Sequence, residues 1–126
     1  AAQFAAHYQL SNLTVFLDWN KMQIDGSNDA VMKLGDAAGK FREFGWNADV
    51  VKGDDVMAIL SAISKATSSS DKPNLIVLDT VKGANISCIS SLPNNHCIGI
   101  SKELAEQAFN ELNLQETHIQ EEEVNQ

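Results

Sequence analysis

Three short apolar runs, set apart by long helical stretches, restrict this chain more than any other feature of its sequence. Leu13-Thr14-Val15-Phe16-Leu17 is nearly continuous in apolar side chains and stops at Asp18, as a strand covered on both faces would. Asn47 to Val51 reads as a second strand, and Leu75-Ile76-Val77-Leu78 as the clearest one. Each gap between them exceeds the roughly dozen residues that a parallel crossover needs. Asp36 to Phe44 forms a short helix that Gly45 stops. Asp54 or Asp55 caps the next helix, in which Val56, Ile59, Leu60 and Ile63 fall at i, i+3, i+4 and i+7. Such crossovers are right-handed. The fold class is therefore α/β, a parallel sheet with helices on both faces. Three strands leave both outer edges open, so the sheet is expected to be incomplete in this chain and finished by other polypeptide.

The remaining segments fit around that sheet. Ala1 to Leu10, with Phe4, Ala5 and Tyr8 among alanines, reads as a packed helix without a capping residue, as if the chain enters mid-element. Ser68-Ser69-Ser70-Asp71-Lys72-Pro73 is a loop by composition. Ser101 caps a last helix whose Leu104, Ala105, Ala108, Phe109 and Leu112 share one face. Gln115 to Gln126 carries Glu121-Glu122-Glu123 and reads as a loose tail. No repeat or linker divides the 126 residues, which are one domain's worth. The expected division is a partial domain over 1–114 and an acidic polar tail over 115–126.

Charge removes several classes of function. Seventeen acidic against nine basic residues, a net charge of −8, argue against a nucleic-acid surface and against a basic membrane-binding helix. No apolar run approaches the ~20 residues of a membrane span, and no signal peptide is visible. Cys88 and Cys97 are too few for a disulfide framework or a zinc site, although a pair nine apart in sequence could bridge. A reduced, cytoplasmic compartment is the default.

In open parallel sheets, ligands bind beyond the carboxyl ends of the strands. Here that means Asp18 to Gly26, Gly53 to Asp55, and Asp79 to His96. Asp18-Trp19-Asn20-Lys21-Met22-Gln23-Ile24-Asp25-Gly26 packs oxygen donors directly after a strand, and hard cations such as magnesium and calcium take such oxygens. An ordinary polar turn uses the same residue types, and spacing alone leaves both readings open. An EF-hand is excluded, because Gln23 stands where its loop requires glycine and Met22 at a ligand position. There is no Walker phosphate loop, no Gly-x-Gly-x-x-Gly and no Gly-x-Ser-x-Gly elbow. Cys88, His96 and Cys97 read as core or loop residues rather than a thiol–imidazole pair. His7 reads as structural, and His118 falls in the tail.

The stretch Ala5-Ala6-His7-Tyr8-Gln9-Leu10-Ser11-Asn12-Leu13, running into Asp18 to Gly26, resembles the thiamine-diphosphate-binding domain of transketolases. The resemblance continues through Lys40-Phe41-Arg42-Glu43-Phe44-Gly45-Trp46-Asn47, Lys72-Pro73-Asn74-Leu75-Ile76 and Thr80-Val81-Lys82-Gly83, and in the spacing to His96. It covers residues 1 to 112, in order and almost without gaps, and is similar to the carboxyl-terminal part of that domain. It implies the thiamine-diphosphate-binding fold, a thiamine diphosphate cofactor held through Mg2+ or Ca2+, and transfer of a two-carbon ketol unit from a ketose to an aldose. In that family an Asn side chain and the backbone carbonyl two residues on hold the metal; these match Asn20 and Met22. The residue matching Ile24 packs beside the cofactor, and a histidine matching His96 lies in the active site. The third metal ligand, an Asp in Gly-Asp-Gly, matches nothing here and belongs before Ala1. The glutamate that activates the aminopyrimidine belongs to a separate pyrimidine-binding domain. Partners are therefore the upstream part of the domain and a pyrimidine-binding subunit, in a homo- or hetero-oligomer acting on sugar phosphates, with the isolated chain inactive. The usual Lys-Gly-Lys-Gly is here Lys82-Gly83-Ala84-Asn85 and the usual Trp-His-Gly is Asn95-His96-Cys97. Those losses suit an alternative, a degenerate, non-catalytic relative that serves assembly or stability.

Overall fold

The computed structural model describes residues 1–68, 71–93 and 95–124, with side chains of the last helix described as far as Glu116. In chain order the elements are α1 (Ala2–His7), β1 (Thr14–Trp19), β2 (Met22–Gln23), β3 (Gly26–Ser27), α2 (Asn28–Val31), α3 (Ala37–Glu43), β4 (Asn47–Lys52), α4 (Val56–Thr67), β5 (Asn74–Asp79), α5 (Ser87–Ser90) and α6 (Lys102–Val124). Contacts divide the chain into two compact units, 1–80 and 81–126, where the sequence suggests one domain and a tail.

Aspartates start α3 and α4. Asp36 Oδ1 accepts from Gly39 N at 2.8 Å and Asp55 Oδ1 from Ala58 N at 2.9 Å, each satisfying an amide that the first turn leaves unpaired. Between these crossovers the sheet runs β1-β5-β4, all parallel. Val15, Leu75 and Ala48 lie level across the three strands, and so do Phe16, Ile76 and Asp49. Side chains alternate between faces along a strand, so two cores form. On one face Ala5 of α1, Ala38 of α3 and Trp46 bury Ala48, Leu75 and Val77. On the other, Ala62 and Ala66 of α4 cover Ile76, with Val51, Ile63 and Leu78 at the margin. Trp46 Nε1 donates to the Ala2 carbonyl at 2.9 Å, which fixes α1 to the start of β4.

Two local expectations are corrected. The buried stripe of α4 is centred on Ala62 and Ala66, whereas Val56 and Leu60 are exposed; alanines let the helix approach the sheet closely, so the packing follows them rather than the largest side chains. β1 is also not covered on both faces. α4 packs over β4 and β5, and Phe16 is left 47% exposed.

The two edges of the sheet differ. Asn47 N bonds to the Pro73 carbonyl and Gly53 N to the Asp79 carbonyl, so by ladder alternation Ala48, Val50 and Lys52 turn their backbone groups outward from β4. Arg42 occupies that edge, donating from Nε and Nη2 to the Ala48 carbonyl at 3.2 and 2.7 Å. On β1, Asn74 N bonds to the Leu13 carbonyl and Thr80 N to that of Trp19. The backbone of Phe16 therefore faces the outer edge.

In the second unit α5 and α6 pack together. Ser101 caps α6 as expected, Oγ accepting from Leu104 N at 3.2 Å. The helix then continues to Val124, so the segment from Gln115 is helical where a loose tail was expected. Glutamate, glutamine and leucine are good helix formers, and a polar composition does not by itself end a helix. Asn125 and Gln126, and Ser69 and Ser70 of the expected loop, lie outside the described residues. Among the described residues no helix is long and apolar enough to cross a membrane.

Candidate functional site at the carboxyl ends of the strands

β1 ends at Trp19 and β5 at Asp79, in register, and the segments leaving the two strands meet at one end of the sheet. Asp18 is the centre of this meeting. The Thr80 hydroxyl donates to Asp18 Oδ1, and Asn20 Nδ2 donates to Asp18 Oδ2 at 3.2 Å. Asn20 Oδ1 in turn accepts from Met22 N at 2.9 Å, a side-chain turn that asparagine makes readily. Lys21 Nζ pairs with Asp79 Oδ1, and its backbone lies in the left-handed region at φ 64°. Its carbonyl accepts from Asn28 N at 2.9 Å, so the chain from Met22 folds into the small antiparallel β2–β3 ribbon, Met22 opposite Ser27. The sequence pattern misses this ribbon because two-residue strands carry no period.

The structure brings Asn20 and Met22, two of the expected site residues, together. Asn20 and Met22 are half-buried and joined directly by the hydrogen bond just described. Ile24, at the tip of the β2–β3 ribbon, is 67% exposed, an apolar side chain presented to solvent. His96 lies in the second unit and is exposed. Asn20 Oδ1 spends one lone pair on Met22 N and keeps a second, a neutral oxygen of the type that magnesium and calcium accept. Among the described residues no three His, Cys, Asp or Glu side chains group as a metal site.

Gly53, at the end of β4, completes the site. A Cβ there would lie 2.2 Å from Thr80 Cγ2 and 3.2 Å from the Asp79 carbonyl oxygen. Only glycine lets β4 and the end of β5 approach this closely. Sequence reading set Gly53 at a strand end without this role, and missed the Asp18–Thr80 pair. A one-residue contact across strands has no sequence signal until the register is known.

The other features weigh against rival sites. Cys88 and Cys97 are both free thiols. Burial and the Glu111 carboxylate push the Cys88 thiol up, which keeps it protonated and poorly nucleophilic. A cleft of about 520 Å³ lies where β4 and β5 begin, opposite the candidate site, but its basic groups are engaged: Arg42 on the Ala48 carbonyl and Lys65 on Asp49 at 2.8 Å. Asn85, standing where the resemblance has a glycine, holds φ 67°. Asparagine tolerates that conformation, so the substitution leaves the backbone path available.

The family of the transketolase thiamine diphosphate binding domain matches residues 1–119. A 6-deoxy-6-sulfo-D-fructose transketolase subunit from Clostridium sp. (strain MSTE9) is 35% identical over 112 residues, 89% of this chain and 41% of that protein. An apulose-4-phosphate transketolase subunit from Phocaeicola vulgatus is 29% identical over 96 residues, 76% of this chain and 34% of that protein. The transketolase structure from Campylobacter jejuni overlays with a TM-score of 0.70 at 20% identity, over 85% of this chain and 17% of the other, a likeness of fold. The chain spans less than half the length of these relatives.

Proposed function

The chain belongs to the family of transketolase thiamine diphosphate binding domains, and on that footing we propose that it supplies part of a metal–thiamine diphosphate site in a transketolase assembly. Asn20, through Oδ1, and Met22, through its backbone carbonyl, would hold Mg2+ or Ca2+ against the cofactor's diphosphate. Ile24 would give the cofactor an apolar contact. When bound, thiamine diphosphate supplies the electron sink for moving a two-carbon ketol unit between sugar phosphates. The observation that carries the reading is the Asn20 amide, held by Asp18 and by Met22 N at the carboxyl end of a parallel strand, where this class of sheet binds ligands. His96 is proposed as an active-site residue on the family resemblance alone. The non-catalytic alternative rests on the glycines lost after Lys82, and Asn85 at φ 67° weakens it.

The companion polypeptide belongs at the outer edge of β1. Phe16 turns its backbone outward there and leaves its ring uncovered on the adjoining face, while Arg42 blocks the corresponding edge of β4. An added strand pairing beside Phe16 would bring further ligands to the strand ends where Asn20 lies. Two relatives are named as subunits, which supports a separate partner chain.

The test is reconstitution. Two oxygens leave most of the ~6–8 positions around a hard cation to water, so the chain alone should bind magnesium, calcium and thiamine diphosphate weakly in titration calorimetry. With polypeptides supplying the upstream segment and the pyrimidine-binding part, ketol transfer should appear, and Asn20→Ala should raise the cofactor and metal concentrations it needs. Transfer by Asn20→Ala at wild-type cofactor and metal dependence would reject the assignment.

A further inference from the structure

We infer that Thr80, seated by Gly53, is a positioning residue that sets the orientation of the Asn20 amide through Asp18. The inference rests on Asn20 being a cation ligand and extends that reading to the other two strands. A side-chain amide has an oxygen end and an NH2 end, and a cation accepts only the oxygen. Asn20 Nδ2 donates to Asp18 Oδ2 and Oδ1 accepts from Met22 N. Turned over, the amide would set oxygen against a carboxylate and N–H against N–H. The Asp18 carboxylate therefore selects the ligating orientation, provided that it is itself held.

Asp18 is exposed on its strand, and the Thr80 hydroxyl holds it by donating to the other carboxylate oxygen. That leaves Oδ2 turned toward Asn20. Thr80 depends on Gly53, because a methyl group there would sit 2.2 Å from Thr80 Cγ2. Relief requires Thr80 or the strand ends to shift, and either movement disturbs the hydroxyl's hold on Asp18. The ends of β4, β5 and β1 thus form a relay, Gly53 to Thr80 to Asp18, that terminates on Asn20. Metal-site residues of this outer kind tune affinity without touching the ion.

The full chain can be titrated with Mn2+ alone, which shares the oxygen preference of magnesium, while the Asn20 side-chain amide and Met22 backbone amide signals are followed by NMR. Thr80→Val keeps shape and loses the hydroxyl, Thr80→Ser restores it, and Gly53→Ala acts from one strand further away. The expected result is about tenfold weaker Mn2+ affinity in Thr80→Val and Gly53→Ala, the scale seen for outer-shell partners, with Thr80→Ser near wild type. The free Thr80→Val protein should also show its Asn20 NH2 signals moved toward those of an unrestrained amide. If Thr80→Val binds Mn2+ as wild type does while Asn20→Ala does not, the relay is overturned and the ligand assignment stands. If Asn20→Ala binds as wild type does, the ligand assignment fails and the relay with it. Should Gly53→Ala not fold, the Val and Ser variants decide alone.

Discussion

Gln9 and Gly45 end their helices with the same pair of backbone hydrogen bonds, Gln9 at φ 51° and Gly45 at φ 91°. Gln9 N bonds to Ala6 and Leu10 N to Ala5; Gly45 N bonds to Arg42 and Trp46 N to Phe41. The left-handed residue after a helix is ordinarily glycine, because a Cβ costs about 1–2 kcal/mol there. Gln9→Gly is expected to stabilise the chain by about 1 kcal/mol in urea unfolding, after the added freedom of the unfolded glycine is subtracted. A destabilised variant would mean that the Gln9 side chain makes a compensating contact.

Asn74 is 4% exposed and its amide is fully used. Nδ2 donates to the carbonyls of Ala66, Lys72 and Ser11, and Oδ1 accepts from Asn47 Nδ2 at 3.1 Å. One side chain thus ties α4, the loop before β5 and the turn before β1. Asn74→Ala should cost about 2 kcal/mol, because it strands buried carbonyls. Asn74→Asp, which cannot donate, should be no better. Chemical denaturation with an unchanged slope would report both.

Glu111 holds α5 by a carboxylate clasp. Its Oε1 accepts from Ser87 Oγ at 2.8 Å and from Cys88 N at 3.3 Å. The Ser87 hydroxyl and amide hold the carboxyl below the usual glutamate range. A depressed folded pKa means that this contribution is present in full above the ordinary value near 4.3 and is lost as pH falls through the lower folded value. Ser87 and Cys88 amide shifts should therefore be constant at neutral pH and move only on acidification below the ordinary glutamate value. Glu111→Gln should remove that transition.

Phe16→Glu places a charge in the exposed middle of β1. It should leave the helical signal of the isolated chain intact while suppressing self-association and pairing with the companion polypeptide. Arg42→Ala should do the reverse by freeing the Ala48 carbonyl on the opposite edge. Light scattering across a concentration series separates the two. Equal association by both variants would mean that the edges do not govern assembly.

Elements with strong local signals were legible in the sequence. Asp36 and Asp55 announce their helices, and Leu75 to Leu78 reads as the clearest strand, though its central place in the sheet does not show in the sequence. The Asn20–Met22 loop was legible as oxygen-rich, though turn and ligand looked alike. What was not legible depends on tertiary register. Gly53 reads as an ordinary loop glycine until β4 lies beside β5, and Asn74 as an ordinary strand start until α4 ends above it. The α4 stripe was misjudged because periodicity counts large side chains, while close approach selected Ala62 and Ala66. The helix beyond Gln115 was missed because a polar composition was equated with looseness.

The strand order has a consequence for how the protein is made. β5 lies between β1 and β4 yet leaves the ribosome after both. Until Asp79 has emerged, β1 and β4 have no neighbour to pair with, and Thr14 waits for Asn74. Pairings so distant in sequence close slowly. During that interval the nascent chain displays Val15-Phe16-Leu17 without cover, the kind of segment that recruits chaperones or misassociates. A partner strand already present beside β1 would shorten the wait, so synthesis of the two polypeptides close together should raise the yield of folded protein.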